Sequence, residues 1–307
     1  MIERWVRFWD RREAPYSLAL VRLLLGSTLL FDLCQAGYFN VVSLLFAPTP
    51  RGAGWDASGL PAPFVMRVFG ASEGTAYGLW WFAVLACVLF TLGAAYRLTS
   101  VALVFAMIEV EACQPVRDGI DALLHIVLAV LAVSGAGEAW SVDAWLRKRR
   151  GKEPRAIPAW PRYLLFLQVI WVYVSAGHQR GHTWGPFGGF SAVGDVLGDP
   201  HFARFAPGSL ALFYPLACLG TLLTMAFEVS SPLILLWTWL EHRPSRGGRF
   251  GDLARRFHLR WVWLAVGASL HAGIALTMNL GMFPYGMLAL YPVFFRPDEV
   301  SSGCFSP

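Results

Sequence analysis

The chain has 307 residues, of which 56% are hydrophobic and only 15% are charged, and its formal net charge is +5. An average soluble domain has about 25% charged residues, so this composition excludes an ordinary water-soluble fold and indicates an integral membrane protein. The excess positive charge is confined to three short segments between apolar runs. That placement favours a role in membrane orientation and excludes nucleic acid as an expected partner.

Apolar runs of about 20 residues, the length needed to cross a bilayer, recur along the chain. Eight of them are predicted as membrane-spanning helices, so the expected fold class is an all-α, polytopic helix bundle. They cover residues 17–35, 76–93, 98–113, 120–137, 162–180, 209–240, 261–280 and 283–295. The sixth run is too long for one straight crossing and contains Pro232, so we expect a kink there. The eighth is short, and it either crosses the bilayer or re-enters it.

Basic residues set the predicted orientation. They cluster at 4–12, 147–155 and 243–260, whereas 36–75, 114–119 and 181–208 carry few. By the positive-inside rule the basic segments face the cytoplasm, which with eight crossings places both termini there. The first twelve residues are too polar for a cleavable signal peptide. We expect one transmembrane domain over 1–307, surrounded by the lipid bilayer, without a separate soluble domain.

Ionisable side chains inside membrane spans are costly, so each is a candidate functional residue. Those near the outer ends of the predicted spans are Asp32, Glu109, Glu111, Asp121, His125, His178, Arg180 and His182. Asp121 and His125 are four residues apart and therefore share a helix face. If the cationic group at 178–182 meets the carboxylates, it forms a polar pocket at the outer side. The alternative is that these cations snorkel to the interface, where Trp184 belongs to an aromatic belt.

Arg22, Glu228 and His271 lie deeper in the predicted spans. A buried guanidinium needs a carboxylate, so Arg22 and Glu228 are expected to pair, either as a structural clamp or as part of a functional site. His178 and His182 beside a carboxylate are a weak metal signature, and no metal site is assigned. Cys34 and Cys113 are both expected near the outer face, where a disulfide and two unpaired thiols are both compatible with the sequence.

Several motifs occur in the order found in one known family. They are "LALVRLLLG" and "LLFDL" in the first run, "LGAAYRLTS", "GIDALLHIVLAVLAV", "WSVDAW", "LQVIWVYVSAGHQRGHTW", "FEVSSPLILLW" and "SLHAGIALTMNLGMF". Together they cover nearly the whole chain. The sequence resembles the HTTM family, the membrane domain shared with vitamin K-dependent gamma-glutamyl carboxylases.

This resemblance implies a reaction and a set of residues. The active carboxylases oxidise vitamin K hydroquinone with dioxygen, and use the resulting base to carboxylate glutamate on the non-cytoplasmic side. Their polar positions correspond here to Arg22, Asp121, Asp143, Glu228 and His271. The family motif in the fifth run corresponds to Tyr173, Gly177 and Trp184.

The sequence departs from the family pattern at the position where the carboxylases have their catalytic base. The carboxylases have a lysine three residues after the motif glycine, where it acts as the base toward the hydroquinone, and this chain has Arg180 there. Arginine stays protonated in proteins and cannot act as a base, although it can bind an anion or a quinone oxygen. The only lysines, Lys148 and Lys152, lie in the predicted cytoplasmic loop. If a base works here, it must then be a histidine, namely His178, His182 or His125, because imidazole exchanges protons near neutral pH.

Three functions follow from these observations. The first is an enzyme of the bacterial cytoplasmic (inner) membrane, active on the outer side, that catalyses a quinone-linked or oxidative modification of a peptide or small molecule. Its cofactor would be a vitamin K-like quinone or hydroquinone. Its catalytic residues would be His178, His182, Arg180, Asp121 and His125, and its binding residues Arg22, Glu109, Tyr173, Trp184, Glu228 and His271. The second is an SdpB-like maturation or export partner of a secreted peptide, and the third is a lipid- or quinone-binding protein without chemistry.

Overall fold

A computed structural model describes residues 6, 9–48, 62–114, 119–153, 155–206, 210–242 and 248–304. The described secondary structure is helical apart from one two-stranded pairing and one isolated bridge, which confirms the all-α class. The chain divides into two compact units, one formed by Met1–Leu165 with Ala289–Pro307 and the other by Phe166–Leu288. The single transmembrane domain expected from the sequence stays a prediction.

The first unit is built mainly from seven helices. They are α1 (Tyr16–Tyr38), α2 (Val42–Phe46), α3 (Phe64–Phe69), α4 (Glu73–Leu92), α5 (Tyr96–Ala112), α6 (Gly119–Ser134) and α7 (Val142–Arg149). Strand β1 (Arg12–Glu13) pairs antiparallel with β2 (Ile157–Pro158). Helix α8 (Trp160–His178) begins in this unit and continues into the second.

Helices α1, α4 and α5 carry the core of the first unit. Helix α4 packs on both α1 and α5, and α6 packs on α5. Helix α1 buries Leu18, Leu25 and Leu29, whose spacing places them on one helix face. The turn from α4 to α5 is tight because Gly93 takes the left-handed conformation, with φ 64°, which glycine adopts at little cost.

The second unit contains the remaining long helices. After α8 come 3-10 turns at His182–Trp184 and Pro186–Gly188, then α9 (Ala192–Gly198), α10 (Leu210–Ser230), α11 (Leu233–His242), α12 (Gly248–Arg256), α13 (Leu259–Thr277) and α14 (Phe283–Leu290). Helix α13 packs against α10, α11 and α12. A 3-10 turn, Tyr291–Phe294, and a last helix, α15 (Pro297–Cys304), belong to the first unit again.

Four described helices are long and apolar enough to cross a membrane: Tyr16–Tyr38, Glu73–Leu92, Phe213–Ser230 and Leu259–Thr277. Twenty residues at 1.5 Å each cover about 30 Å, the thickness of the hydrocarbon core. Large apolar side chains on these helices, such as Phe31, Trp81 and Leu276, are exposed. A surface of this kind is stable against lipid and not against water. The protein is therefore a helical membrane protein in contact with lipid.

Two predicted runs take a more irregular form. The sixth run consists of α10 and α11, which are separated at Ser231–Pro232, where the expected kink is a full interruption of the helix. The eighth run corresponds to the apolar stretch Phe283–Phe294. At 1.5 Å per residue this stretch covers about 18 Å, which is too short for a complete crossing and favours re-entry.

Candidate functional site

Arg180 lies just beyond the end of α8 and is held by a carboxylate on α10. Its Nε donates to Glu228 Oε2 at 2.9 Å, and its Nη2 donates to Glu228 Oε1. Its guanidinium carbon lies 3.7 Å from the centre of the Trp184 ring. Fork-like pairing with a carboxylate and stacking on an aromatic ring both require the planar guanidinium and are not reproduced by lysine. The Nη1 group donates no hydrogen bond within the described part of the chain, so it is available to an anionic or carbonyl oxygen.

The pairing of Glu228 corrects one expectation from the sequence. Glu228 was expected to neutralise Arg22, but its carboxylate pairs with Arg180. Arg22 is completely buried and donates to the backbone carbonyls of Ala136, Ala139 and Trp140. The expectation was wrong because backbone carbonyl oxygens, which residue type does not reveal, accept the hydrogen bonds of both Nη groups of Arg22.

Gly177 sets the approach of α8 to α10. A Cβ placed on Gly177 would lie 3.3 Å from Glu228 Cβ and 3.3 Å from Val229 Cγ2, closer than ordinary packing allows. A side chain at this position would therefore push α10 outward by at least a few tenths of an ångström, away from the distance at which Glu228 reaches Arg180. The motif glycine is thus explained by helix packing.

Replacing Gly177 by valine is expected to destabilise the protein by about 1–3 kcal/mol, the usual cost of overpacking, and to loosen the Arg180–Glu228 pair. Thermal unfolding in detergent measures the first effect. Gly273→Val is the matched control, because a Cβ on Gly273 of α13 meets nothing within 4 Å. Equal melting temperatures for the two variants would contradict the packing role of Gly177.

His178 is the last residue of α8, and its side chain is exposed with a fixed orientation. Its Nδ1 lies 2.8 Å from the carbonyl oxygen of Val174, one turn earlier. Because a carbonyl only accepts, Nδ1 carries the hydrogen and Nε2 keeps a lone pair. His182, in the following 3-10 turn, is exposed, and its side chain makes no hydrogen bond or ion pair with the described residues.

Tyr173 and His271 form a buried polar contact inside an aromatic cluster of the second unit. The Tyr173 hydroxyl lies 2.8 Å from His271 Nε2. The Tyr173 ring packs edge-on against Phe227 and Trp263, which are stacked on each other with centroids 4.4 Å apart. The contact joins α8 to α13, one turn of helix before Gly177. In the candidate site of the second unit, His178 and His182 are thus exposed and Arg180 is half-buried. Tyr173 and His271 lie in the packed interior.

The acidic candidates of the first unit occupy two separate contacts. His125 on α6 is 2.9 Å from Glu111 on α5, so its close partner is Glu111, although the sequence paired it with Asp121. The charge of Asp121 acts on Asp32 of α1. The single outer-face pocket expected from the sequence, with these carboxylates opposite Arg180, stays a prediction. Cys34 and Cys113 are both free thiols, so the disulfide alternative is not realised.

An apolar cavity of about 660 Å³ lies between α3, α4 and α5, and the sequence did not reveal it. Phe69, Phe82 and Phe105 line it, together with Gly78 of α4. Glu109 lies at its edge, where its Oε2 accepts a hydrogen bond from the backbone N–H of Val65 at 2.8 Å. Phe82 on α4 and Phe105 on α5 are 23 positions apart in sequence, so the sequence alone does not show that they line one cavity. The volume and the aromatic walls fit a flat apolar molecule.

Asp143, one of the polar positions implied by the family resemblance, binds the start of a neighbouring helix. Its two carboxylate oxygens accept hydrogen bonds from the backbone N–H groups of Ala95 and Tyr96, at 2.9 and 2.8 Å. These groups are at the start of α5, where no residue of the helix itself supplies an acceptor. Asp143 therefore caps α5 from the neighbouring α7.

These features define a class of protein. It is a helical protein whose apolar surface faces lipid, and it carries a histidine and an arginine two residues apart at the end of one helix. The HTTM domain matches residues 10–185, which is more than half of the 307-residue chain. The chain therefore belongs to the HTTM domain family, a membrane domain family related to vitamin K-dependent carboxylases. No curated protein and no solved structure matches the chain.

Proposed function

We propose that the protein is an HTTM-class membrane enzyme that oxidises a quinol and couples this step to modification of a peptide or small molecule. The observation that carries the proposal is that two suitable groups lie two positions apart in sequence at the end of α8: His178, whose Nε2 is free to take a proton, and Arg180, whose Nη1 is free to bind an oxygen. In the proposed topology eight segments cross or enter the inner membrane of a bacterium. Both termini then face the cytoplasm, and the end of α8 faces outward.

The residues present fit the oxygen of a hydroquinone. In the proposed reaction His178 Nε2 takes the proton of one quinol hydroxyl, and Arg180 Nη1 donates to the resulting phenolate oxygen. Glu228 and Trp184 hold the guanidinium in place, so its donors are oriented before the charge develops. The quinol would supply two electrons and two protons, one of them through His178, and dioxygen would accept both pairs, so that quinone and hydrogen peroxide are the products of this step. Arginine cannot take the proton itself, so gamma-carboxylation that uses a lysine base at this position is not part of the proposal.

The test is hydroquinone-dependent oxygen uptake by the purified full-length protein in nanodiscs. We expect uptake with a short-tailed naphthohydroquinone, and no uptake above the uncatalysed rate for the His178→Ala, His182→Ala double variant. Wild-type uptake no faster than that of the double variant would remove the proposal. Folding of both proteins is verified by thermal unfolding, so an unfolded variant is not mistaken for an inactive one.

A second candidate, binding of a quinone or lipid chain without chemistry, is favoured by the cavity between α3, α4 and α5. Gly78→Phe is expected to weaken binding of a short-tailed naphthoquinone at least tenfold, because the new ring occupies the cavity that its Cβ enters freely. Quenching of intrinsic tryptophan fluorescence measures the affinity. Gly273→Phe, at a glycine of α13 with equally open space, should bind as the wild type does. Unchanged binding by Gly78→Phe would contradict this candidate.

A further inference from the structure

A second, larger cavity lies at one end of the first unit. It has a volume of about 1050 Å³ and is bounded by the α4–α5 turn, the C-terminal end of α6, and β2. Arg12, Arg97, Arg147 and Arg155 contribute to its lining. None of these residues belongs to the proposed reaction at the end of α8.

The carboxylates of this cavity are already engaged, so part of its positive charge is uncompensated. Asp143 is occupied by the backbone N–H groups at the start of α5. Glu138 pairs with Arg147 at 3.0 Å. Three exposed arginines of the cavity have no carboxylate partner among the described residues. Arg12 donates to the carbonyl oxygen of Ala156 at 3.2 Å, whereas the side chains of Arg97 and Arg155 make no hydrogen bond, ion pair or ring contact with the described residues.

Apolar side chains continue from this cationic cavity along the membrane helices. Leu98 and Val101 of α5 and Val133 of α6 also line the cavity, and they are 71%, 60% and 66% exposed. Arg97 thus lies at the start of α5, and exposed aliphatic side chains of α5 and α6 lie beside it. A free phosphate ion would use the arginines and gain nothing from the aliphatic surface, whereas a phospholipid uses both.

We propose that this cavity binds one anionic phospholipid. The guanidinium groups of Arg97 and Arg155 bind its phosphate, and its acyl chains lie along Leu98, Val101 and Val133. Guanidinium groups suit this role because their N–H groups match the geometry of phosphate oxygens. The bound lipid would join the first turn of α5 to the segment before β2, since Arg97 is on the former and Arg155 on the latter.

Native mass spectrometry of the full-length protein, titrated with phosphatidylglycerol in detergent, tests the proposal. We expect one site that prefers phosphatidylglycerol to phosphatidylcholine of the same chains at least tenfold. In the Arg97→Gln, Arg155→Gln double variant, phosphatidylglycerol should bind about thirty-fold more weakly, since each arginine near an anionic headgroup contributes about fivefold.

Arg249→Gln with Arg256→Gln is the matched control. It removes the same charge from two exposed arginines of α12, outside the cavity, and should leave the affinity unchanged. An equal loss in the control pair, or equal affinity of the wild type for the two lipids, would overturn the site. Inorganic phosphate that displaces the lipid at a concentration near the lipid's own dissociation constant would assign the cavity to free phosphate and overturn the lipid assignment.

Discussion

Replacing Arg22 by methionine is expected to lower the free energy of unfolding by about 3 kcal/mol or more. Arg22 is 0% exposed, and its Nη1 donates to the carbonyl oxygens of Ala136 at 2.8 Å and Ala139 at 3.2 Å. Its Nη2 donates to the carbonyl oxygen of Trp140. Methionine fills much of the same volume but leaves these three buried acceptors without a donor, at a cost of about 1–3 kcal/mol each.

The measurement is unfolding in mild detergent with increasing denaturant, followed by tryptophan fluorescence. Arg249→Met, at an exposed arginine of α12, is the control and should change stability by less than about 0.5 kcal/mol. Arg22→Lys should be intermediate, because the ammonium keeps the charge but cannot reach three carbonyls with the geometry of a fork. If Arg22→Met unfolds like the wild type, Arg22 does not clamp the turn after α6.

The same experiment separates the two roles that the sequence left open for Arg22. A clamp predicts that stability and oxygen uptake fall together in Arg22→Met and partly recover together in Arg22→Lys. A direct role in binding the quinol predicts a loss of uptake at unchanged stability. The complete burial of the side chain favours the clamp, since a ligand reaches Arg22 only after displacing the turn at 136–140.

The sequence predicted the helices well, because the length of an apolar run and the residues that end a helix are local properties. The first predicted run, 17–35, corresponds to the helix Tyr16–Tyr38, and the second, 76–93, to Glu73–Leu92, whose end is marked by Gly93. Pro232 likewise marks the interruption between α10 and α11. Such signals act within a few residues of the position they affect.

The partners of the polar residues were harder to predict, because they depend on which helices are neighbours. Arg180 and Glu228 are 48 positions apart, and the sequence placed Glu228 deeper in the membrane than Arg180. Opposite charge alone could not choose between Arg22 and Arg180 as the partner of Glu228. The choice follows from Gly177, which brings α8 against α10, and a single sequence does not reveal that contact.

The sequence left three histidines as candidates for the base. Only the contacts in the structure give a reason to prefer one of them. His125 contacts Glu111, and the side chain of His182 makes no hydrogen bond or ion pair with the described residues. Only His178 has its ring hydrogen assigned to Nδ1 by a backbone carbonyl, in a turn that ends a helix. All three candidates are histidines, so residue type alone does not show which of them has this geometry.

Removing His178 is expected to lower the turnover number of hydroquinone-dependent oxygen uptake by about 10²–10⁴-fold, the usual contribution of a general base. His178→Ala deletes the Nε2 lone pair, and His178→Gln keeps a polar side chain that cannot take a proton. Both variants should lose activity to a similar extent while melting like the wild type, because the side chain is exposed. His182→Ala should lose less than about tenfold, since nothing fixes the orientation of its ring.

Two further measurements distinguish proton transfer at His178 from a structural role. Added imidazole should restore part of the turnover of His178→Ala, because the exposed end of α8 leaves space for it, and a purely structural histidine would not be rescued. Combining His178→Ala with Arg180→Lys should also recover activity, most strongly at alkaline pH, because lysine can lose its proton where arginine cannot. If neither imidazole nor the lysine restores uptake, His178 does not act as the base. If the single Arg180→Lys variant loses activity while His178 is intact, the oriented guanidinium is needed to bind the developing phenolate.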